Sequence, residues 1–408
     1  MLQPAFRRLF GILVLGLWIA QDAGAGPYPH AGEPIAGIRD VYNGTLTPDL
    51  AVQTFRNIDR LFPTRTVTHG ARALPLPPAE RPLANVKFSS KGRPWDLYDY
   101  LAVNRVAGLL VLKDGRTALE LYQYGNSERT RWMSMSVAKS ITSTLIGVAL
   151  KQGLIGSLED SVTRYVPRLV GSAYDGVSVR DILTMSSGVR WNEQYTDPAS
   201  DRRRLLEVQI AQQPGAALDL MARLPRAAEP GTVLNYSTGE TLVAGELLRG
   251  AVKRPIAEYL SEQIWRPYGM EADANWWLAS RDGSEIAGSG FSATLRDYGR
   301  FGLFVLGNGR IGDRTLLPDG WRDEAGSAKT LKRGRTEDYG YFWWPTPPTA
   351  ATPQTDGSFA ASGIFGQWIY VNAKQHLVIV VWSARSKPEG MDVVDDADFF
   401  GAVVAALR

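Results

Sequence analysis

Apolar and polar positions alternate most clearly at two places far apart in the chain. Residues 106–112 are apolar and β-branched, and residues 117–124 alternate after the turn signal Asp114-Gly115. This pattern predicts a β-hairpin. A second hairpin is predicted near the other end, where residues 367–371 and 376–383 flank a short polar turn.

Between the hairpins, apolar positions recur with helical spacing. Residues 137–150 predict a buried helix, and Gly153 stands where a C-cap glycine belongs. Further helices are predicted over residues 179–185, 202–212, 242–250, 256–264 and 393–407. This order predicts an α+β fold (an α/β sandwich), with one antiparallel sheet built from both chain ends, flanked by helices, and a mostly helical inserted domain.

The same order divides the chain into four parts. We predict a signal peptide over residues 1–25, an extended N-terminal segment over 26–100, a sheet domain formed by 101–145 and 285–408, and a helical domain over 146–284. The segment after the signal is rich in Pro, Gly and Arg, and its run Leu74-Pro75-Leu76-Pro77-Pro78 fits neither a helix nor a central strand. We therefore expect it to lie over the main body.

The first residues have the pattern of an export signal. Arg7 and Arg8 precede the apolar stretch Leu9 to Ala20, which is short for a membrane span. Ala23-Gly24-Ala25 offers the small residues of a cleavage site, so a mature chain would begin near Gly26. The prediction is an exported protein, periplasmic or secreted, with no membrane span after signal removal. An uncleaved anchor or a buried N-terminal helix is the alternative.

The composition of the chain argues against several classes of function. The chain of 408 residues is 44% hydrophobic and 21% charged, as is ordinary for a globular protein. Its net charge of +3 comes without a long basic run, so no nucleic-acid partner is predicted. The chain has no Cys, which excludes disulfides and thiol catalysis, and His30, His69 and His376 are too scattered to predict a zinc centre. We expect no metal and no other cofactor.

Ser136-Val137-Ala138-Lys139 is the segment that carries chemistry. Positions i and i+3 lie one helical turn apart on one face, and a serine hydroxyl needs a base to take its proton. A lysine amine serves as that base when burial lowers its pKa, and the apolar helix that follows favours burial. No G-x-S-x-G segment occurs, so histidine is not the expected base. The alternative is a capping serine with a lysine that reaches solvent.

Five stretches, in order, resemble motifs of the serine β-lactamase and penicillin-recognising superfamily. Residues 132–142 resemble its first motif, in the branch that contains class C β-lactamases, esterases and 6-aminohexanoate-dimer hydrolases. The other stretches are residues 179–189, Pro230-Gly231 with Tyr236-Ser237-Thr238, residues 288–301, and Ala361-Ser362-Gly363-Ile364. The resemblance covers about residues 85–408 and implies a β-lactamase-like fold.

The resemblance implies catalytic roles for three residues. Ser136 would attack the carbonyl carbon, Lys139 would act as its base, and the Tyr236 phenol would relay a proton to the leaving group. Tyr236 lies between Pro230-Gly231 and an apolar helix, which predicts a loop position. A core tyrosine is the alternative.

Further residues are assigned to the oxyanion site and to substrate binding. Gly363 and Ile364 on a strand would present the Ile364 N–H, which would form an oxyanion hole with the Ser136 N–H. Ser362 precedes them in the same motif. Tyr195 lies in a stretch that resembles the 6-aminohexanoate branch most closely, where a tyrosine contacts the substrate nitrogen. Packing beneath the loop is the alternative for Tyr195.

Two departures from the superfamily pattern narrow the predicted function. Thr238, also assigned to binding, stands where β-lactamases usually have asparagine, and we expect its hydroxyl to lack the two-ended hydrogen bonding of an amide. Ala361 stands where a lysine or histidine usually helps hold a substrate carboxylate. The prediction is a serine hydrolase that cleaves an ester or linear amide bond of a small molecule through an acyl-enzyme on Ser136.

Three alternatives accompany this prediction. One is a β-lactamase or D-amino-acid peptidase. Another is a non-catalytic, penicillin-binding-like sensor or binder, although the presence of Ser136, Lys139 and Tyr236 favours an enzyme. A metal-dependent hydrolase is disfavoured because histidine is scarce. The physiological substrate and the oligomeric state stay open.

Overall fold

The computed structural model describes residues 27–352 and 356–408. The helices of this part are α1 (Ile38–Asn43), α2 (Pro48–Phe55), α3 (Leu97–Val103), α4 (Val137–Lys151), α5 (Val162–Tyr165), α6 (Val179–Leu183), α7 (Asp201–Ile210), α8 (Ala216–Ala222), α9 (Thr238–Val252), α10 (Ile256–Leu260), α11 (Arg266–Tyr268), α12 (Leu295–Leu306), α13 (Trp321–Gly326) and α14 (Asp396–Ala406). Short 3-10 helices lie at Ile58–Arg60 and Pro167–Leu169, and a π-helix lies at Ser261–Trp265.

The strands form five sheets. They are β1 (Thr64–Val67), β2 (Lys87–Ser90), β3 (Arg93–Asp96), β4 (Val106–Lys113), β5 (Arg116–Tyr122), β6 (Arg131–Met133), β7 (Ala274–Trp277), β8 (Phe291–Thr294), β9 (Arg310–Ile311), β10 (Arg314–Thr315), β11 (Lys329–Thr330), β12 (Thr336–Glu337), β13 (Trp344–Pro345), β14 (Phe359–Gly363), β15 (Gln367–Asn372) and β16 (Leu377–Ser383). The central sheet has the order β13-β14-β15-β16-β4-β5, and a smaller sheet has the order β1-β7-β8-β6.

The central sheet joins the two hairpins that the sequence predicts. Every neighbouring pair in it is antiparallel, and β16 lies beside β4 with Val380 opposite Leu110. Both strands are buried along nearly their whole length because helices cover both faces of the sheet. The predicted α+β fold, with an antiparallel sheet assembled from both chain ends, is confirmed.

Different helices cover the two faces. On one face α12 lies close to the strands, since a Cβ on Gly299 would come within 2.6 Å of the Leu110 side chain. The same face carries α4, which packs against β14 and β15. On the other face α3 and α14 form a separate core, in which the rings of Tyr100 and Phe399 stack at 3.9 Å. The nucleophile candidate thus lies on the α4 side.

The N-terminal segment contains more regular structure than predicted. The sequence predicts an extended segment over residues 26–100, but residues 27–100 form the helices α1, α2 and part of α3 and the strands β1 to β3. The helices form because Val41, Tyr42, Val52 and Phe55 bury apolar side chains in the main core. Sequence periodicity could not show this, since α1 and α2 have only 6 and 8 residues.

The predicted helices of the central region are present, with shifted ends. α9 begins at Thr238, earlier than the predicted 242, because the Ser237 hydroxyl caps the N–H of Glu240. Gly153 has φ +73 just after α4. The division into domains stays a prediction, and its boundary at 145/146 falls inside α4. The predicted signal peptide lies outside the described residues, and among the helices that are described none is long and apolar enough to cross a membrane.

Candidate active site

Ser136 lies where a strand of the smaller sheet turns into a buried helix. β6 ends at Met133, and Ser136 is the N-cap residue of α4. Between them Met135 has φ +42, a left-handed conformation that residues other than glycine adopt rarely. The turn presents Ser136 to a cavity of about 530 Å³. A nucleophile in this position has open space on one side and a helix N-terminus on the other.

Lys139 is buried beneath Ser136 and has three polar neighbours. Its Nζ lies 2.9 Å from Ser136 Oγ, 3.0 Å from Thr238 Oγ1 and 3.0 Å from the carbonyl oxygen of Gly288. The residue is 2% exposed, which rules out a lysine that reaches solvent. A neutral amine has two N–H donors and one lone pair. It can therefore donate to Thr238 and Gly288 and accept the proton of Ser136.

The electrostatics of the pocket favour the neutral amine. Burial lowers the pKa of Lys139 from 10.5 to about 7, because the ammonium ion loses its hydration. The Glu193 carboxylate opposes this shift, and the Arg202 cation adds to it. A large share of Lys139 is therefore unprotonated near neutral pH, as a general base requires.

Thr238 bridges Lys139 to a carboxylate that the sequence did not reveal. Its hydroxyl accepts from Lys139 Nζ and donates to Glu193 Oε1, and its backbone N–H donates to Glu193 Oε2 at 2.9 Å. The Trp191 indole N–H donates to the same carboxylate. A single hydroxyl oxygen thus bonds two partners, although it lacks the two separate ends of an amide. Glu193 was missed because its partner Thr238 lies 45 positions further along the chain.

Tyr236 forms the next part of the cavity wall. The Lys139 Nζ lies 5.2 Å from the centre of its ring, and its hydroxyl interacts with the Ser136 side chain. The ring also packs against Tyr339 and Trp344, at 6.0 and 5.7 Å between centroids. Burial raises the pKa of Tyr236, and Glu193 raises it further. The phenol therefore keeps its proton at neutral pH and is available as a donor.

The third motif passes directly beside the nucleophile. β14 ends at Gly363, where a Cβ would lie 2.5 Å from the carbonyl oxygen of Ser134 and 3.0 Å from the nitrogen of Ser136. A larger residue would push the strand away from α4, so glycine is required for this approach. Ile364 follows and lines the same cavity as Ser136. The structure therefore brings together the two residues whose N–H groups were predicted to form an oxyanion hole.

The remaining predicted binding residues also face this cavity. Ser362 lines it and a neighbouring cavity of about 420 Å³. Tyr195 lines it as well, and its largely buried ring stacks on Tyr42 at 6.3 Å between centroids. Packing and a position on the cavity wall thus coexist for Tyr195. Of the eight predicted site residues, Lys139 and Thr238 lie behind the wall, and the others line it.

The charges around the cavity are mainly negative. Glu193 and Glu389 line it, and burial together with Glu193 raises the pKa of Glu389. Arg385 is the lining cation, and its Nη2 bonds both oxygens of Asp396, at 2.7 and 2.6 Å. Ala361 is buried in β14 and brings no cation to the third motif. Within residues 27–352 and 356–408, no group of three or more acidic or histidine side chains is placed to hold a metal ion.

A family comparison agrees with this geometry. Residues 102–401 match the family model described as Beta-lactamase. The chain belongs to the β-lactamase family. In this member of the family, α1, α2 and β1 to β3 precede the matched region, and Ser136, Lys139, Tyr236 and Gly363 lie inside it.

Individual relatives cover most of this β-lactamase-family chain. It is 28% identical, over 349 residues, to a 6-aminohexanoate-dimer hydrolase of Paenarthrobacter ureafaciens, which spans 82% of this chain and 86% of the relative. A Bacillus anthracis structure assigned as a 6-aminohexanoate-dimer hydrolase superposes with a TM-score of 0.72 at 22% identity, covering 87% of this chain and 94% of the other. A family VIII carboxylesterase superposes at 0.54 and 16% identity, covering 74% and 92%. These two structural likenesses show the fold.

Proposed function

We propose that this protein hydrolyses the ester or linear amide bond of a small substrate through an acyl-enzyme on Ser136. The chain is a serine hydrolase of the β-lactamase superfamily that acts on amide or ester bonds. The observation that carries the proposal is the hydrogen bonding of Lys139. Its two acceptors, Thr238 and Gly288, leave the amine lone pair for the proton of Ser136.

Acylation follows from these positions. The Ser136 proton moves to Lys139 as Oγ bonds to the substrate carbonyl carbon, and the carbonyl oxygen becomes an oxyanion. The N–H groups of Ser136 and Ile364 are proposed to stabilise that oxyanion. When the tetrahedral intermediate collapses, the bond to the leaving group breaks and Tyr236 protonates the leaving atom. Lys139 returns a proton to Tyr236.

Deacylation repeats the sequence with water. A water molecule gives one proton to Lys139 and attacks the acyl carbon, and the Ser136 oxygen then leaves with that proton. The products are an acid and an alcohol or amine, and Ser136 and Lys139 regain their starting states. The cavity provides space for the water once the leaving group has departed.

The charge of the cavity supports a substrate without a carboxylate next to the scissile bond. Glu193 and Glu389 repel such a group, Arg385 is occupied by Asp396, and Ala361 adds no cation. β-Lactams and D-amino-acid peptides carry a carboxylate at this place, so they are disfavoured. Short esters, and linear amides such as the 6-aminohexanoate dimer named for the Paenarthrobacter relative, are the proposed substrate class.

We also propose that the protein is exported, to the periplasm or to the medium, after removal of a signal peptide. The basic residues Arg7 and Arg8, the apolar stretch after them and the small residues Ala23-Gly24-Ala25 support this. Mass spectrometry of the protein recovered from cell fractions tests it. A mature chain that begins near Gly26 is expected, and an intact N-terminus in the cytoplasm would contradict the proposal.

Intact-protein mass spectrometry with a fluorophosphonate probe tests the proposed nucleophile. The wild type is expected to gain one adduct, and Ser136→Ala none. Ser140→Ala is the matched control, because Ser140 lies one turn further on α4 and is also buried, but it donates to the Phe342 carbonyl and does not line the cavity. Turnover of p-nitrophenyl esters, the 6-aminohexanoate dimer, D-amino-acid amides and nitrocefin then ranks the substrates. A wild type with neither label nor turnover would refute the proposed function.

A further inference from the structure

The C-terminal end of α1 touches two loops that both line the Ser136 cavity. We call the three residues Tyr42, Asn43 and Gly44 the clasp. They lie before the region matched by the family model, which begins at residue 102. One loop, residues 191–195, carries Glu193 and Tyr195, and the other, residues 386–390, carries Glu389.

Tyr42 holds the first loop through its ring and its hydroxyl. Its buried ring stacks on Tyr195, with an interplanar angle of 30°. Its hydroxyl accepts from Arg202 Nη2, and the Arg202 guanidinium lies 4.4 Å above the ring centre. The Arg202 backbone N–H in turn donates to the Asn192 carbonyl at 3.0 Å. Tyr42 therefore fixes both a wall residue and the arginine behind it.

Asn43 holds the same loop through a second arginine. Nη1 of Arg203 donates to Asn43 Oδ1 at 2.8 Å and to the Tyr195 carbonyl at 3.1 Å. Arg202 and Arg203 are 1% and 5% exposed, and in the described part of the chain their side-chain hydrogen bonds go to neutral oxygens. Burying a cation without a carboxylate partner costs stability. Two such cations side by side behind the cavity wall are difficult to explain by packing alone.

Gly44 holds the second loop. Its carbonyl accepts from Lys387 Nζ at 2.7 Å, and a Cβ at this position would lie 2.8 Å from the Lys387 side chain. Gly44 also has φ +62, which ends α1 and turns its carbonyl toward the loop. Lys387 is two residues from Glu389. The clasp thus contacts both loops that line the cavity.

We propose that the clasp is a positioning element of the active site, which fixes the 191–195 and 386–390 loops and the Arg202 side chain. This inference rests on the proposed function. The charged groups that act on Lys139 are Glu193 from the first loop and Arg202 from α7, and the ring centre of Tyr236, a titratable phenol, lies 5.2 Å from the Lys139 Nζ. Arg202 favours the neutral amine, and Glu193 favours the ammonium ion.

Three variants, Tyr42→Phe, Asn43→Ala and Arg202→Gln, test the clasp. Loss of the Arg202 charge raises the pKa of Lys139, so the acid limb of kcat/KM moves to higher pH. In Arg202→Gln we expect the acid limb to shift by about half a pH unit, which lowers kcat/KM about threefold on the acid side of the profile. In Tyr42→Phe we expect a smaller shift in the same direction. Asn43→Ala is expected to raise KM severalfold, since it frees the Tyr195 wall.

Arg56→Gln is the matched control. Arg56 is also a buried arginine, but it bonds Glu33 and Asn126 away from the cavity. Its loss should lower the melting temperature and leave the acid limb in place. NMR titration of the Lys139 Nζ gives the same pKa without turnover, so the readout does not depend on the substrate chosen.

Two results would overturn the proposal, and they are distinguishable. If the wild type is labelled and active but the three variants change only the melting temperature, as Arg56→Gln does, the clasp is merely structural. If the wild type shows neither labelling nor turnover, the proposed function itself fails and the clasp has no active site to position.

Discussion

Two buried cations next to the same cavity have opposite surroundings. Lys139 is 2% exposed and contacts two hydroxyls and a carbonyl, whereas Arg385 is 8% exposed and contacts the Asp396 carboxylate through both oxygens. Tyr100 adds a third bond to Asp396, at 2.8 Å. Burial lowers the pKa of Lys139 to about 7, while Asp396 keeps the pKa of Arg385 above its ordinary value.

The partner therefore decides what a buried cation does. A carboxylate within bonding distance offsets the lost hydration of the guanidinium, so Arg385 keeps its positive charge. Its ion pair with Asp396 joins the chain after β16 to the start of α14. The neutral partners of Lys139 do not offset the lost hydration of an ammonium ion, so Lys139 releases its proton instead. Arg385 is thus a structural anchor and Lys139 is a base, although both are buried basic side chains.

The largest expected effect is a loss of activity when the base Lys139 is replaced by arginine. In Lys139→Arg the guanidinium cannot deprotonate in this pH range, and kcat/KM should fall by about 10⁴-fold. Steady-state hydrolysis of a p-nitrophenyl ester measures this, and circular dichroism checks that the fold survives. Retention of a tenth or more of the activity would contradict the assignment of Lys139 as base.

The second largest effect is a loss of stability when Arg385 loses the Asp396 carboxylate. Asp396→Asn leaves Arg385 buried without a counter-charge and should lower the free energy of unfolding by about 3–5 kcal/mol. Asp219→Asn is the control, because Asp219 forms a more exposed ion pair with Arg168 and should cost less than about 1 kcal/mol. Urea denaturation of both variants compares them. Equal losses would mean that the Arg385 ion pair is no anchor.

The pH dependence of activity sharpens the contrast further. Only neutral Lys139 accepts the Ser136 proton, so kcat/KM should fall about tenfold per pH unit below its pKa of about 7 and level off above it. Tyr236 adds no basic limb near neutral pH, because its pKa is raised. A rate profile between about pH 5 and pH 9 is the measurement. A flat acid side would show that Lys139 is not the titrating base.

The smallest effect concerns a buried acid that has already lost its charge. Burial raises the pKa of Glu240 to about 8, and its near partner is the Ser187 hydroxyl. Because the folded state holds this proton more tightly than the unfolded state, stability is present below pH 4.5 and declines as pH rises through about 8. Glu240→Gln should change stability little at about pH 4, where the folded and unfolded states both hold the proton, and should remove the decline above that pH. Denaturation at about pH 4 and about pH 8 decides it, and a loss of several kcal/mol at about pH 4 would contradict a neutral Glu240.

The sequence predicts those parts of the site that depend on neighbouring positions. Ser136 and Lys139 share one helical turn, and Ile364 directly follows Gly363 at the end of β14, so their relation is local. The roles of Glu193, Arg202 and Asp396 depend on partners far along the chain, and no spacing rule reports such pairs. The helix α1 escaped prediction for another reason, because its stability comes from the core around Tyr42 and not from its own short pattern.

The pairing of β16 with β4 has a consequence for the order in which the protein is made. As the ribosome extends the chain, Ser136 and Lys139 are synthesised long before β14 to β16, which bring Gly363 and Ile364 beside them. One edge of β4 stays unpaired after β4 and β5 are made, until β16 is synthesised and pairs with it. A nascent chain, or one clipped before residue 359, therefore holds a serine and a lysine but no completed hydrolytic centre.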